Sequence, residues 1–141
     1  MPPQLQSPEI QAFATGIPRA LGDAGVTLLI LILGAALYAL LTPHREIQLI
    51  RDGNSAAGLS LAGVLVGLAV PLSASLGASN STLEIAIWGV MIIAVQLLAF
   101  RVIDLLLHGL PQRIQDGEIS AATLLVGAKL GSALILAAAM R

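Results

Sequence analysis

The chain has 141 residues, of which 57% are hydrophobic and 11% charged, and its mean hydropathy is +0.92. Average soluble domains carry roughly 25% charged residues, and their surfaces need that charge to stay hydrated, so this composition excludes an ordinary soluble domain. The absence of cysteine excludes disulfide scaffolds and thiol enzymes, and a net charge of −1 provides no basic surface for nucleic acid.

Residues 1–23 precede the first apolar segment and are predicted to form either an interfacial helix or a loosely ordered tail. The Ser-Pro-Glu run at residues 7–9 is typical of a helix start, because it offers a cap, a proline in the first turn and an acid at the positive end. Apolar residues then recur at helical spacing until Gly16 and Pro18 end the pattern. No basic n-region precedes an apolar core, so a signal peptide is not expected.

Four apolar segments of about 20 residues or more predict an all-α membrane protein with four transmembrane helices. Asp23 is the expected N-cap of the first helix and Pro43 its stop, while Ser81 and Glu84 form a predicted capping box before the third. The predicted spans cover residues 24–42, 55–77, 82–108 and 120–140. Contact with the lipid bilayer follows directly from this fold.

The spans are predicted to form two parallel two-helix repeats, residues 24–77 and 82–140. Residues 48–53 (QLIRDG) align with residues 112–117 (QRIQDG), and a Ser-Ala-Ala triplet opens the second helix of each unit. Because each unit crosses the membrane twice, both copies enter it in the same direction.

Arginine placement predicts which way the chain crosses the membrane. The loops at 43–54 and 109–119 carry Arg45, Arg51 and Arg113, against Arg19 and Arg141 on the opposite side. Since basic residues favour the cytoplasmic side, we expect both termini to be periplasmic and the two longer loops to be cytoplasmic, available to a soluble or membrane partner.

Several short motifs resemble the YjfL-type bacterial inner-membrane proteins, the domain-of-unknown-function 350 family. The motifs are residues 42–44 (TPH), 48–50 (QLI), 54–58 (NSAAG), 71–73 (PLS) and 96–100 (QLLAF), and the resemblance covers about 26–140. It implies a four-helix plasma-membrane protein with a link to envelope or membrane stress, and it implies no catalytic residue. Two departures are the segment 118–120 (EIS), where the resemblance leads us to expect an Asn before Ala-Ala, and Lys129, where a small apolar residue is expected.

Lys129 is the most informative polar residue, since an ionisable group inside a bilayer is costly and is often functional. Gln96 and Asp104 on the third span are its candidate partners, and Asp104 could instead pair with Arg101 three residues away. A structural pairing or a snorkelling lysine is the alternative to a role in transport. These four residues are the candidate intramembrane polar site.

Small residues predict where the helices approach each other closely. GxxxG motifs occur in the second span, at Gly63 and Gly67, and in the fourth, at Gly127 and Gly131, and they could pack helices within one subunit or between subunits of a homo-oligomer. Tyr38, like Trp88, is expected to anchor a span at the membrane interface.

No catalytic constellation, phosphate loop or metal motif is present in the sequence, so neither an enzyme nor a cofactor or metal site is predicted. His44 and His108 end two spans near carboxylates, but their spacing matches no metal motif. The favoured interpretation is a structural or accessory membrane protein. The alternative is a small oligomeric channel or transporter that uses Lys129, Gln96 and Arg101.

Overall fold

Six helices make up the part of the chain that the computed structural model describes, residues 7–42 and 45–140. In chain order they are α1 (Pro8–Leu41), α2 (Glu46–Arg51), α3 (Ser55–Ala78), α4 (Thr82–Leu106), α5 (Leu110–Gln115) and α6 (Ile119–Ala139). These described residues contain no strand, and α1, α3, α4 and α6 are each long and apolar enough to cross a membrane. The prediction of an all-α protein with four candidate spans is confirmed.

The ends of α3 and α4 follow from the capping residues in the sequence. The Asn54 side chain accepts a hydrogen bond from Ala57 N at 3.0 Å, and the Ser81 hydroxyl accepts one from Glu84 N at 3.2 Å. The Glu84 carboxylate completes the predicted capping box one residue early, because it accepts from Asn80 N at 2.8 Å and not from Ser81 N.

The first helix is longer than the sequence indicates, and this corrects the prediction for residues 8–23. Pro8–Leu41 is one continuous helix of 34 residues, capped by Ser7, with Pro18 in its interior. At ~1.5 Å per residue it is about 51 Å long, well beyond the ~30 Å hydrocarbon layer. Proline removes one backbone donor without forcing a break, and a helix outside the hydrocarbon leaves the freed carbonyl to water.

Asp23 marks the level at which α1 leaves the bundle, instead of capping a helix. Its carboxylate accepts a hydrogen bond from the Thr82 hydroxyl at 2.7 Å, and the Arg19 guanidinium donates to the carbonyl of Asn80. Every residue from 8 to 22 is exposed. The N-terminal part of α1 therefore extends past the loop between α3 and α4.

The two short helices, α2 and α5, end in the same turn. Gly53 and Gly117 have positive φ values of 87° and 85°, a conformation that favours glycine. In each turn the residue after the glycine donates to a carbonyl five residues back, Asn54 to Leu49 and Glu118 to Arg113, which is the Schellman pattern. The Asp-Gly pairs in the aligned sequence segments thus serve the same local purpose.

Helix packing centres on α3, which makes its most extensive contact with α6 and also contacts α1 and α4. A β-carbon built at Gly63 would lie 2.5 to 3.0 Å from the branched side chain of Val126, and one at Gly67 would lie 2.9 Å from Phe100. The predicted close approach at these two glycines is therefore present within one chain.

The glycines of α6 do not take part in this packing. A β-carbon at Gly127 or Gly131 would meet no atom within 4 Å among the described residues. Gly127 faces outward because α6 turns Val126 and Lys129 towards the bundle, so the second GxxxG motif has space beside both glycines in the described part of the chain. Gly34 and Gly89 perform the close approach between α1 and α4 instead, against Ile93 and Ile30.

Candidate functional site

Four helices bring polar side chains together inside the bundle, towards the end where α2 and α5 lie. We call Tyr38, Glu46, Asp104 and Lys129 the buried polar cluster; they come from α1, α2, α4 and α6. Tyr38, Glu46 and Lys129 are buried, and Asp104 is mostly buried. Ionisable groups are rarely buried without a partner, so the contacts among these four residues decide what the site can do.

Lys129 lies at the middle of α6 and is 0% exposed. Its Nζ lies 3.1 Å from Asp104 Oδ1 and donates a hydrogen bond to the Tyr38 hydroxyl at 3.2 Å. The contact with Asp104 lacks hydrogen-bond geometry and is therefore an ionic contact. Because side chains on a helix point towards its N-terminus, the ammonium group is directed to the α2 and α5 end.

Aromatic rings complete the surroundings of the ammonium group. Lys129 Nζ lies 5.1 Å from the centre of the Tyr38 ring and 5.3 Å from that of Phe100, within the range of cation–π attraction. The two rings meet edge to face, with centres 6.3 Å apart. The Lys129 ammonium group is thus surrounded by one carboxylate, which balances its charge, and by two aromatic rings.

Tyr38 connects Lys129 to Glu46. Its hydroxyl accepts from Lys129 Nζ and donates to Glu46 Oε1 at 3.3 Å. The other carboxylate oxygen, Glu46 Oε2, is buried and has no hydrogen-bond partner among the described residues. Ser60 on α3 lies beside this carboxylate without closing a hydrogen bond to Oε2.

A cavity of about 190 Å³ adjoins the buried polar cluster. Tyr38, Glu46 and Asp104 line it, together with residues from α3, α4 and α5, among them Ser60, Arg101 and Gln115. Burial raises the pKa of Glu46, and the nearby Lys129 ammonium opposes that rise only in part. The wall of the cavity contains two acidic side chains, Glu46 and Asp104, and one basic side chain, Arg101.

The four residues of the candidate intramembrane polar site do not form one cluster in the structure. Lys129 and Asp104 pair, whereas Arg101 is exposed, lines the cavity and forms no ion pair in the described part of the chain. Gln96 is buried, but its amide donates to the Ser132 hydroxyl at 3.1 Å, and that hydroxyl donates to the Lys129 carbonyl. Gln96 is therefore linked through Ser132 to the backbone of Lys129, and among the described residues no hydrogen bond joins the two side chains.

Two members of the buried polar cluster, Tyr38 and Glu46, are absent from the predicted intramembrane polar site. Tyr38 is 4% exposed, so it does not serve as the interfacial anchor expected of it, and Glu46 is buried by α2 although it belongs to a loop rich in arginine. One signal was available in the sequence: every span has a polar residue within a few turns of the end at which α2 and α5 lie. Trp88, at the other end, is 47% exposed, as an interfacial side chain can be.

A second polar cavity lies at the opposite end of the bundle, beside Trp88. It measures about 210 Å³ and is lined by Ser75, Glu84 and Met140 among others. The Ser75 hydroxyl is buried and has no hydrogen-bond partner among the described residues. Between the two cavities, the interior contains the apolar cluster of Leu68, Leu72 and Ile92, with Gln96 alongside.

Metal binding finds no support in the described residues. His44 lies outside them, and no group of three or more His, Cys, Asp or Glu side chains within them could hold a metal ion. Arg113 of α5 and Glu118, the N-cap residue of α6, form a surface pair. Arg113 Nε donates to Glu118 Oε2 at 2.8 Å, and this bond raises the pKa of Arg113 and lowers that of Glu118.

Four long apolar helices with charges at their ends define a multi-pass helical membrane protein. The family description that matches the chain, over residues 12–140, is Domain of Unknown Function (DUF350). The chain belongs to this family. It is also 33% identical over 116 residues to the UPF0719 inner membrane protein YjfL of Escherichia coli K12, covering 82% of this chain and 86% of that protein.

The same protein from Escherichia coli O157:H7 has the same identity and coverage. These relatives and the four apolar helices support a multi-pass location in the inner membrane. No solved structure matches the chain. The likeness therefore establishes family and membrane, and the function has to be inferred from the residues.

Proposed function

We propose that this chain is a structural or accessory component of the bacterial envelope, without enzymatic activity. The supporting observation is the closed interior of the bundle. Lys129 is paired with Asp104 and Tyr38, and apolar side chains separate this cluster from the polar cavity at the other end. A continuous polar route, which an ion path requires, is not available among the described residues in this conformation.

We further propose that the bundle comprises two parallel two-helix repeats. The equivalent turns after α2 and α5 support this arrangement, as does the pairing of α3 with α6. Ala56 and Ala57 of α3 pack in one cluster with Ala121 and Ala122 of α6, which are the matching positions of the aligned Ser-Ala-Ala triplets.

Both termini are proposed to be periplasmic, on the basis of the arginines in the α2 and α5 loops. We expect alkaline phosphatase fused after residue 141 to be active in cells, because that enzyme folds only outside the cytoplasm. The same fusion placed after Gly53 is expected to be inactive. The reverse pattern would overturn the orientation.

A partner is proposed to dock on the face formed by the loops at 43–54 and 109–119, and the link to membrane stress comes from family resemblance. We expect the full chain, purified in native lipid, to copurify a defined protein that is lost in Arg51→Glu, since Arg51 is exposed in this face. Glu9→Lys, an exposed charge reversal beyond the opposite end, is the matched control and should retain it.

Ion flux measured on the same samples separates this function from the second candidate, a small channel or transporter. That candidate is favoured by one observation, the cavity lined by Glu46, Asp104 and Arg101. Flux no greater than in protein-free liposomes, with partner loss in Arg51→Glu alone, supports the accessory role. Flux above this background that disappears in Arg101→Met, which keeps the ion pair of Lys129 and Asp104, would instead support transport.

A further inference from the structure

We propose that the Glu46 carboxylate is a proton-binding site, which exchanges one proton with the solution at the α2 and α5 end of the bundle. This inference does not rest on the proposed function, because an accessory protein and a transporter could each contain such a site. Three observations support it: the charge balance of the buried polar cluster, an unpartnered oxygen and a cavity that reaches it.

The charges of the buried polar cluster do not balance when both carboxylates are ionised. Lys129 supplies one positive charge, and it is committed to Asp104 at 3.1 Å. Among the described residues, the polar groups beside the Glu46 carboxylate are neutral hydroxyls, that of Tyr38 at 3.3 Å from Oε1 and that of Ser60. Arg101 lines the same cavity but is exposed, and among the described residues it forms no ion pair with Glu46. The Glu46 carboxylate therefore has no cation in direct contact there, and a buried charge of this kind tends to be neutralised by a proton.

The unpartnered oxygen has room for the exchange. Glu46 is 8% exposed, and its Oε2 has no hydrogen-bond partner among the described residues. The adjoining cavity, about 190 Å³, is far larger than the ~10–15 Å³ that one water molecule requires. Water in this cavity can deliver a proton to Oε2 and remove it again. Glu46 is therefore buried and can still exchange a proton with the solution.

The groups that face Glu46 favour a proton over a metal cation. Tyr38 faces it from α1, Asp104 and Arg101 from α4, and Lys129 from α6, while α3 and α5 contribute the uncharged Ser60 and Gln115. Two of these side chains are cations and would repel a metal ion. A proton forms a covalent bond to the carboxylate and needs no shell of additional oxygen ligands.

The direct test is infrared spectroscopy of the full chain in lipid nanodiscs, with carbon-13 in the glutamate carboxyl groups only. The chain has four glutamates, Glu9, Glu46, Glu84 and Glu118, and the label separates them from all aspartates. We expect one labelled carboxyl to remain protonated at a pH where the other three are ionised. The infrared band of this protonated carboxyl should be absent in Glu46→Gln. It should be present in Asp52→Asn, which removes a negative charge from an exposed residue of the same loop.

Four labelled carboxyls that titrate together would overturn the proposal, and this result needs no variant. Loss of the high-pH protonated band on adding sodium or potassium chloride, but not choline chloride at equal ionic strength, would also overturn it. That result would make Glu46 a metal-cation site.

Thermal unfolding gives an independent readout with a defined sign. The pKa of Glu46 is raised in the folded state, so the folded chain binds the proton more tightly than the unfolded chain. The stability from Glu46 is therefore complete at acid pH and is lost as pH rises through the folded-state pKa. We expect this decline in wild type and Asp52→Asn, and its absence in Glu46→Gln; an equal decline in all three contradicts the proposal.

Discussion

Lys129→Met is expected to lower the free energy of unfolding by about 3–5 kcal/mol, the usual cost of removing one partner from a buried ion pair. Methionine nearly preserves the length of the side chain, so packing changes little. Asp104 and the Tyr38 hydroxyl, however, lose the group that lies 3.1 and 3.2 Å from them. The change leaves a mostly buried carboxylate without a counter-ion, and that uncompensated charge is the main source of the loss.

The double variant Lys129→Met/Asp104→Asn separates charge from packing. Replacing both charges removes the unpaired group, so we expect it to recover much of the stability lost in the single variant. Arg101→Met is the matched control, because Arg101 faces the same cavity but is exposed and has no ion pair among the described residues. Reversible unfolding in mixed micelles, followed by circular dichroism, measures all four proteins. Equal losses in Lys129→Met and Arg101→Met would contradict a structural ion pair.

Gly63→Ala is expected to cost about 1–3 kcal/mol, which is the usual range for overpacking a filled interior. The new β-carbon would lie 2.5, 2.7 and 3.0 Å from the two γ-carbons and the β-carbon of Val126. Valine is branched at the β-carbon, so rotation about χ1 cannot move all three atoms away. Helices α3 and α6 must therefore separate, and their contact is the most extensive in the bundle.

Gly127→Ala is the control for Gly63→Ala, with the same chemical change in the other GxxxG motif. Its β-carbon would meet no atom within 4 Å, so the greater helix propensity of alanine, up to ~1 kcal/mol, should leave stability unchanged or raised. The two variants are compared by unfolding in micelles and by the molar mass of the purified protein. A large loss at Gly127 together with a lower molar mass would place the α6 glycines in a subunit interface.

The sequence was sufficient to predict the four candidate spans, because a segment that crosses a bilayer can contain few charged side chains. Residues 54–83 contain no charged side chain, and α3 lies within them with the predicted start at Ser55. The predicted cap of α4 is present because Ser81 needs only its neighbours to satisfy the first turn. The predicted cap at Asp23 is wrong, because α1 continues through that residue. The exception is Pro18, which lies inside α1 and does not end the helix, so a local signal for a break is not decisive by itself.

The site was only partly predictable, because its members are distant in sequence. Lys129 was evident, since a charge amid apolar residues has few explanations. Tyr38 resembles an interfacial anchor, and only the packing of α1 against α3 and α4 shows that its hydroxyl faces inward. Glu46 resembles a solvated loop residue until α2 folds back over the bundle. The partner of Asp104 was also not predictable, because it depends on how α4 is rotated about its axis. The spacing of apolar residues alone does not determine that rotation.

The ion pair between the third and fourth spans has a consequence for how the protein is made. Chains are synthesised from the N-terminus, so Tyr38, Glu46 and Asp104 emerge from the ribosome before Lys129 does. Until α6 joins the other helices, Asp104 has no buried cation to pair with and the Tyr38 hydroxyl lacks its donor. Arrival of the last helix thus completes the polar interior, and a chain halted before α6 would present quality-control proteases with an unpaired acid on a transmembrane helix.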